Sequence, residues 1–267
     1  MTRSLGHWSG RRAIVTGASS GIGAAIAREL TALGASVVLG GRDLRALDRV
    51  AAACIEHGGQ VETVIGDVTA RDVQERLVER AVERFGGLDL LVNNAGISMN
   101  ARFVELDEEV LREIFEVNFF AAAALARLAI PELVRSRGAI LVISSLVGLV
   151  ATPTRSAYAA SKHALHGLFD ALRIELRPHG VTVTVVCPGL VATAIRERAL
   201  RADGTAQGFD DAAGRRMLSA DAVARASLQA AVRGKRRLLL GSETKLARAL
   251  SLCCPQLLDA ILARAGR

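Results

Sequence analysis

The sequence predicts an α/β protein built on a doubly wound parallel sheet of about seven strands with helices on both faces. Three observations carry that prediction. Short apolar runs alternate with helical patterns along the chain, the first run leads straight into a glycine-rich turn, and the single tyrosine stands four residues before one of three lysines. Alternation of this kind argues for βα units and parallel pairing. Strands that are apolar almost throughout are those covered on both faces.

The candidate strands are residues 13–16, 36–39, 61–65, 88–92, 139–144, 182–186 and 237–240. Between them, residues 22–33, 43–57, 71–85, 108–135, 156–177 and 219–232 read as helices by apolar spacing and by their shortage of glycine and proline. Ligands of such a sheet bind beyond the carboxyl ends of the strands, so the chemistry is expected in the strand-to-helix loops.

At 267 residues, 51% hydrophobic and 23% charged, the chain fits one globular domain spanning 1–267. The first ten residues lack an apolar signal core, and Arg127 interrupts the most hydrophobic helix candidate, so neither a secretory signal nor a membrane span is expected. The four cysteines and five histidines show no metal-ligand spacing. No metal site is expected, the cysteines read as buried thiols, and a reducing cytoplasm is the expected location. Of the formal charge of +7, residues 233–267 contribute eight basic groups against two acidic ones. With the basic residues gathered there, and no aromatic interleaving, nucleic acid is not an expected partner.

The first strand runs into Gly17-Ala18-Ser19-Ser20-Gly21-Ile22-Gly23, which opens the first helix. Glycines there permit a tight turn and close backbone approach to a pyrophosphate seated at the positive end of the helix. An ordinary turn is the alternative. Tyr158 and Lys162, four apart on a helix, share a face. A cation beside a phenol favours the phenolate and draws it toward the range of a general acid or base. The alternative is a surface tyrosine with a solvated lysine.

Taken with Asn93-Asn94-Ala95-Gly96, Ser144-Ser145 and Pro188-Gly189, these motifs occur in an order that resembles the short-chain dehydrogenase/reductase family in its single-domain branch, over about residues 10–240. Around the tyrosine the chain is similar to the subgroup containing 11β-hydroxysteroid dehydrogenase relatives. The resemblance implies a Rossmann-type fold and a tetrad of Asn118, Ser145, Tyr158 and Lys162. Tyr158 would exchange a proton with the substrate oxygen, and Ser145, thirteen residues before it, would hydrogen-bond that oxygen. Lys162 would hold the nicotinamide ribose and depress the tyrosine pKa, while Asn118 would anchor a water relaying protons to Lys162. The resemblance also places cofactor contacts at Gly17, Ser19, Ser20, Gly21, Ile22 and Gly23, at Asp67 and Val68 along the adenine, and at Asn94, Ala95 and Gly96. Ile97 would back the cofactor, Thr193 would reach its carboxamide or pyrophosphate, and Pro188, Gly189 and Val191 would also contact it.

An acidic residue at the end of the second strand serves the ribose 2′-hydroxyl of NAD, and an arginine accommodates the 2′-phosphate of NADP. Here Gly41 holds the acidic position and Arg42 follows it, which favours NADP(H) over NAD(H), with Asp43 placed to neutralise Arg42 in part. Residues 194–215 read as a substrate lid. Residues 243–267 form an amphipathic extension with Leu246, Leu250, Cys253, Leu257 and Ile261 in a stripe and a break at Pro255. That stripe is expected to pack on a second subunit or over the sheet edge, or else to meet a membrane surface or a lipophilic substrate mouth.

The expected function is hydride exchange between NADP(H) and a lipophilic carbonyl compound or secondary alcohol, in a homodimer or homotetramer. A non-catalytic NADP-binding regulator and a peripheral membrane scaffold are the alternatives.

Overall fold

A computed structural model describes residues 5–56 and 58–265. His57, the expected last residue of the second helix, and residues 1–4 and 266–267 at the ends of the expected domain lie outside the described residues. The seven strands are β1 (Arg12–Thr16), β2 (Ser36–Gly41), β3 (Val61–Ile65), β4 (Leu90–Asn93), β5 (Ala139–Ile143), β6 (Thr182–Pro188) and β7 (Arg237–Leu240). They lie in the order β3-β2-β1-β4-β5-β6-β7. Every neighbouring pair is parallel. The order reverses between β1 and β4, which opens a crevice beyond their carboxyl ends.

The helices are α1 (Gly21–Ala32), α2 (Leu44–Glu56), α3 (Arg71–Phe85), α4 (Glu108–Phe115), α5 (Ala121–Ser136), α6 (Ser156–Glu175), α7 (Ala220–Val232), α8 (Ser242–Cys253) and α9 (Pro255–Ala265). Alternate strand residues point to opposite faces, so the sheet divides the interior into two cores. Val15, Leu39, Val92 and Leu141 pack with Ile26, Leu30, Leu47 and Leu228 of α1, α2 and α7. Ile14, Val38, Leu91 and Ile140 pack with Leu77, Leu125, Leu165 and Phe169 of α3, α5 and α6. Truncating a side chain as deeply enclosed as Phe169 costs about 3–5 kcal/mol.

The structure corrects the element boundaries at several points. β4 begins at Leu90 rather than 88 because Asp89 is drawn into an ion cluster: Arg11 Nη1 donates at 2.8 Å and Arg12 Nε at 2.6 Å. Burial raises the Asp89 pKa, but the bonds from Arg12 and Arg11 outweigh it and hold the carboxyl below its ordinary value. The expected helix 108–135 is divided by a π-helical turn, Glu116–Phe120, which carries Asn118. By length and composition the run Glu108–Ser136 could cross a membrane; here Leu125, Ala126, Ala129 and Leu133 are buried in the second core.

The extension is also corrected. The expected break falls where α8 ends, with Cys254 at φ −143° and ψ 62° and α9 opening at Pro255, but the stripe is not the buried face. The buried face is Leu258 with Ala247, Leu250 and Leu262 over the second core. Leu246, Leu257 and Ile261 of the expected stripe are exposed. Cys54 and Cys187 are buried thiols, whereas Cys253 and Cys254 are exposed.

Candidate active site

The glycine loop joins β1 to α1 and closes on the segment after β4. Gly17 adopts φ +61°, and a Cβ there would lie 2.9 Å from the Ala95 Cα. A Cβ on Gly23 would lie 2.4 Å from the Gly17 carbonyl oxygen and 2.5 Å from Asn94 Nδ2. Asn94 Nδ2 donates to the Thr16 carbonyl at 2.8 Å and to that of Gly17 at 3.2 Å, tying the two loops together. Ser20 occupies the N-cap of α1, yet its hydroxyl makes no cap bond. The first amides of the helix therefore remain available to an anion. From the opposite side Thr193 approaches, its Cγ2 3.0 Å from where a Gly21 Cβ would stand. These features fit a dinucleotide pyrophosphate.

At the far end of β2, Arg42 Nη1 lies 3.6 Å from Asp67 Oδ2, with both side chains largely in solvent. Asp43, expected to neutralise Arg42, instead accepts from the Ala46 amide at 3.0 Å and caps α2. Asp67 also accepts from the Thr69 amide and hydroxyl at 2.9 and 2.8 Å.

At the other end, α6 presents Tyr158 and Lys162, both buried, with the ammonium 5.8 Å from the phenol ring centre. Burial pushes the Tyr158 phenol above its ordinary value, against a hydrogen bond from Ser145 and the charges of Arg155 and Arg196. Burial also weakens the Lys162 ammonium, to about 8. Its Nζ donates to the Ile143 carbonyl at 3.1 Å.

The two serines at the end of β5 face different ways. Ser145 Oγ accepts from the Val147 amide at 3.2 Å and bonds Tyr158, while Ser144 Oγ lies 2.8 Å from His166 Nε2. Asn118 stands behind Gly96, whose Cβ would lie 3.0 Å from Asn118 Oδ1 and 3.3 Å from Lys162 Nζ. Its amide is committed to both backbone groups of Ile97, at 2.8 and 3.0 Å, and to Ser161 Oγ at 3.0 Å. Asn118 lies in the π turn Glu116–Phe120, the kind of helix irregularity that is frequent at functional sites.

One cavity of about 990 Å³ connects all of this. Its lining includes Gly17, Ser19, Ser20, Gly21 and Ile22, then Arg42, Asp67, Val68, Asn94, Ala95, Gly96 and Ile97. It continues past Ser145, Tyr158 and Lys162 to Pro188, Gly189, Val191 and Thr193. Gly23 and Asn118 do not line it; they support its wall. Leu246, Leu250, Leu258 and Ile261 of the extension close its apolar end. Among the described residues, no His, Cys, Asp or Glu cluster could hold a metal ion.

Sequence reasoning missed the ionic frame over the phenol. Arg155, three residues before Tyr158, donates to Ser98 Oγ at 2.8 Å and pairs with Asp211 in the segment 194–215. Arg196 meets Asp210 at 2.7 Å and Asp211 at 3.8 Å. Only the proximity of Arg155 to the tyrosine was a signal; Asp211 lies 56 residues away from that arginine.

Residues 11–203 match the family model for short chain dehydrogenases. The chain is 35% identical over 220 residues, 77% of its length, to "Dehydrogenase/reductase SDR family member 7" of Homo sapiens, and spans 65% of that protein. It is 41% identical to "1-deoxy-11-beta-hydroxypentalenate dehydrogenase" of Streptomyces exfoliatus, over 70% of each chain. A crystal structure of a short-chain dehydrogenase/reductase of unknown function from Caenorhabditis elegans, with cofactor, superposes with a TM-score of 0.80 at 25% identity, covering 90% of this chain and 96% of that one. With its parallel seven-stranded sheet, its glycine loop and the Tyr158–Lys162 pair on one cavity, the chain belongs to the short-chain dehydrogenase/reductase family, oxidoreductases that bind NAD(P)(H).

Proposed function

We propose that this enzyme exchanges a hydride between NADP(H) and a lipophilic carbonyl compound or its secondary alcohol, with Tyr158 as the general acid/base. The observation that carries this reading is the single cavity holding Arg42 at one end, Tyr158 and Lys162 toward the other, and an apolar wall from α8 and α9 beyond them. The relative named as a 1-deoxy-11-beta-hydroxypentalenate dehydrogenase supports a reaction at a hydroxyl group.

When bound, the nicotinamide supplies or accepts the hydride. In reduction Tyr158 donates its phenolic proton to the substrate oxygen, and Ser145 donates a hydrogen bond to the same atom. Lys162 holds the ribose hydroxyls and favours the phenolate left behind. Asn118 anchors the water that returns a proton to Lys162. Arg42 receives the 2′-phosphate. Oxidation runs the same residues in reverse. The test is a screen of steroid, acyl and aromatic ketones with NADPH and NADH, with Tyr158→Phe as control. NADPH consumption by the wild type that the variant abolishes is the expected result. The absence of any ketone-dependent oxidation would favour a non-catalytic regulator.

We also infer two contacts. Phe120 and Ile174 are 50% and 64% exposed on the outer side of the α5–α6 layer, which suits pairing with a second copy. Light scattering giving a dimer or tetramer supports this. Leu246, Leu252, Leu257 and Ile261 are exposed on a basic extension, which suits weak contact with an anionic membrane surface. Flotation with anionic but not neutral liposomes tests it.

A further inference from the structure

Tyr158, Lys162 and His166 follow one another at four-residue steps along α6 and so form one stripe. Between them the three members hold three consecutive residues where β5 ends, Ile143, Ser144 and Ser145, though not in the order of the stripe. Lys162 Nζ donates to the Ile143 carbonyl at 3.1 Å, and His166 Nε2 lies 2.8 Å from Ser144 Oγ. The next residue is Ser145, which meets Tyr158. The register of the whole stripe against the strand end thus determines how the serine hydroxyl meets the phenol.

The Ser144–His166 contact is enclosed on every side. Ser144 and His166 are both buried. A Cβ on Gly148 would fall 2.6 Å from Ser144 Oγ and 3.0 Å from His166 Nε2, so the short turn Leu146–Gly148 crosses over the bond with no space to spare. From β6, Cys187 Sγ approaches the same nitrogen at 3.7 Å. A polar pair this confined has no water to exchange with, so losing one partner strands the other.

We propose that His166 is a positioning residue for proton transfer: through Ser144 it fixes Ser145 against Tyr158. The proposal rests on the reading of Tyr158 as acid/base. Its physical basis is that displacing a reacting group by about 1 Å can cost on the order of a hundredfold in rate. A histidine that merely satisfied its own polar atom would leave the geometry of Ser145 unchanged when replaced.

The chain's single tyrosine makes a direct test possible, because phenolate absorbance then reports Tyr158 alone. The variants are His166→Leu, which fills the volume without the bond, His166→Gln, whose amide reaches about as far as Nε2, and Ser144→Ala. The expected result for His166→Leu and Ser144→Ala is a kcat about tenfold or more below wild type with the NADPH Kd unchanged, and an upward move of the Tyr158 ionisation midpoint as the Ser145 bond is lost. His166→Gln is expected to restore both, and the His166→Leu/Ser144→Ala double variant to be no worse than either single one. Wild-type kcat and phenol midpoint in Ser144→Ala would overturn the proposal, as would a His166→Gln variant as impaired as His166→Leu. Should His166→Leu not fold, Ser144→Ala and His166→Gln decide. Should the wild type turn over no ketone, the acid/base reading fails, while the phenol midpoints still show whether His166 governs the Ser145–Tyr158 contact.

Discussion

Arg42 and Asp67 form a loose ion pair, 3.6 Å apart and largely exposed, at the rim where β2 and β3 end. An exposed pair of this kind contributes little on its own, so Arg42 can turn to a stronger anion at small cost. A 2′-phosphate is such an anion, since a guanidinium can bind it with two charge-assisted bonds. Losing such a contact costs about 1.5–3 kcal/mol, or roughly ten- to a hundredfold in affinity. Arg42→Ala should weaken NADPH binding by that factor and leave NADH nearly unchanged. Gly41→Asp should go further: a Cβ there meets Leu47 at an ordinary 3.4 Å, and its carboxylate would repel the phosphate. Dissociation constants for both cofactors decide this. Equal losses for NADPH and NADH in Arg42→Ala would leave Arg42 a structural role only.

Tyr158→Phe removes one hydroxyl from a phenol that is only 8% exposed. Turnover should fall by about 10² to 10⁴-fold, the usual contribution of a general acid/base, with the fold and NADPH affinity retained. More than a tenth of the wild-type rate would assign proton transfer elsewhere.

Lys162 loses its proton near pH 8 rather than at the ordinary 10.5 because it is buried. Rising pH through that value removes the ammonium on which Tyr158 depends in the proposed mechanism. The profile of kcat/KM, which reports the free enzyme, should therefore decline above about pH 8. A profile flat up to 10.5 would mean the ammonium is not needed or is not weakened.

Asp211 ties the segment 194–215, the proposed substrate lid, to the start of α6 through Arg155, whose side chain is 13% exposed. Asp211→Asn would leave that guanidinium short of its partner at a cost of about 1–3 kcal/mol. Hydrogen exchange across residues 194–215 should quicken by about 5- to 150-fold, with KM raised more than kcat is lowered. Unchanged exchange would show that this segment is held by its other contacts, such as Asn100 Nδ2 to Gln207 Oε1 at 2.6 Å.

What the sequence made legible is what local pattern determines. The strands showed themselves as apolar runs, and the glycine loop showed itself because Gly17 and Gly21 sit where only positive φ serves. Nothing local distinguishes the π turn at Asn118, since the helical spacing of 108–135 continues across it. Asp43 and Asp67 illustrate the same limit: sequence proximity favoured Asp43 as the partner of Arg42, whereas the fold uses Asp43 as a helix cap and brings Asp67 over from the next strand. The break at Pro255 was legible in the extension because proline opens a helix more readily than it continues one, whereas the face that the second helix buries, Leu258 and Leu262, depends on how it docks on the core. Ser144 and His166 lie twenty-two residues apart, and only the packing of α6 on β5 makes them partners.

His166 yields a prediction that needs no substrate. Burial lowers its pKa from 6.5 to about 4, helped by Arg237, His163 and Lys162 and opposed by Asp170. Between those two values the unfolded chain holds a proton on this imidazole and the folded chain does not, so stability rises with pH across the window. The contribution is fully present above 6.5 and is lost as pH falls toward 4, and its size is about 3 kcal/mol. Carboxylates such as Asp89 and Asp170 add their own acid sensitivity, which a comparison of variants cancels. His166→Gln has no such group to titrate. Urea unfolding at pH values from neutral to about 4 should therefore show the wild type losing about 3 kcal/mol more than His166→Gln. Parallel pH dependences for the two proteins would mean that His166 accepts its proton in the folded state as readily as in the unfolded one, and that the site around Ser144 is open to water.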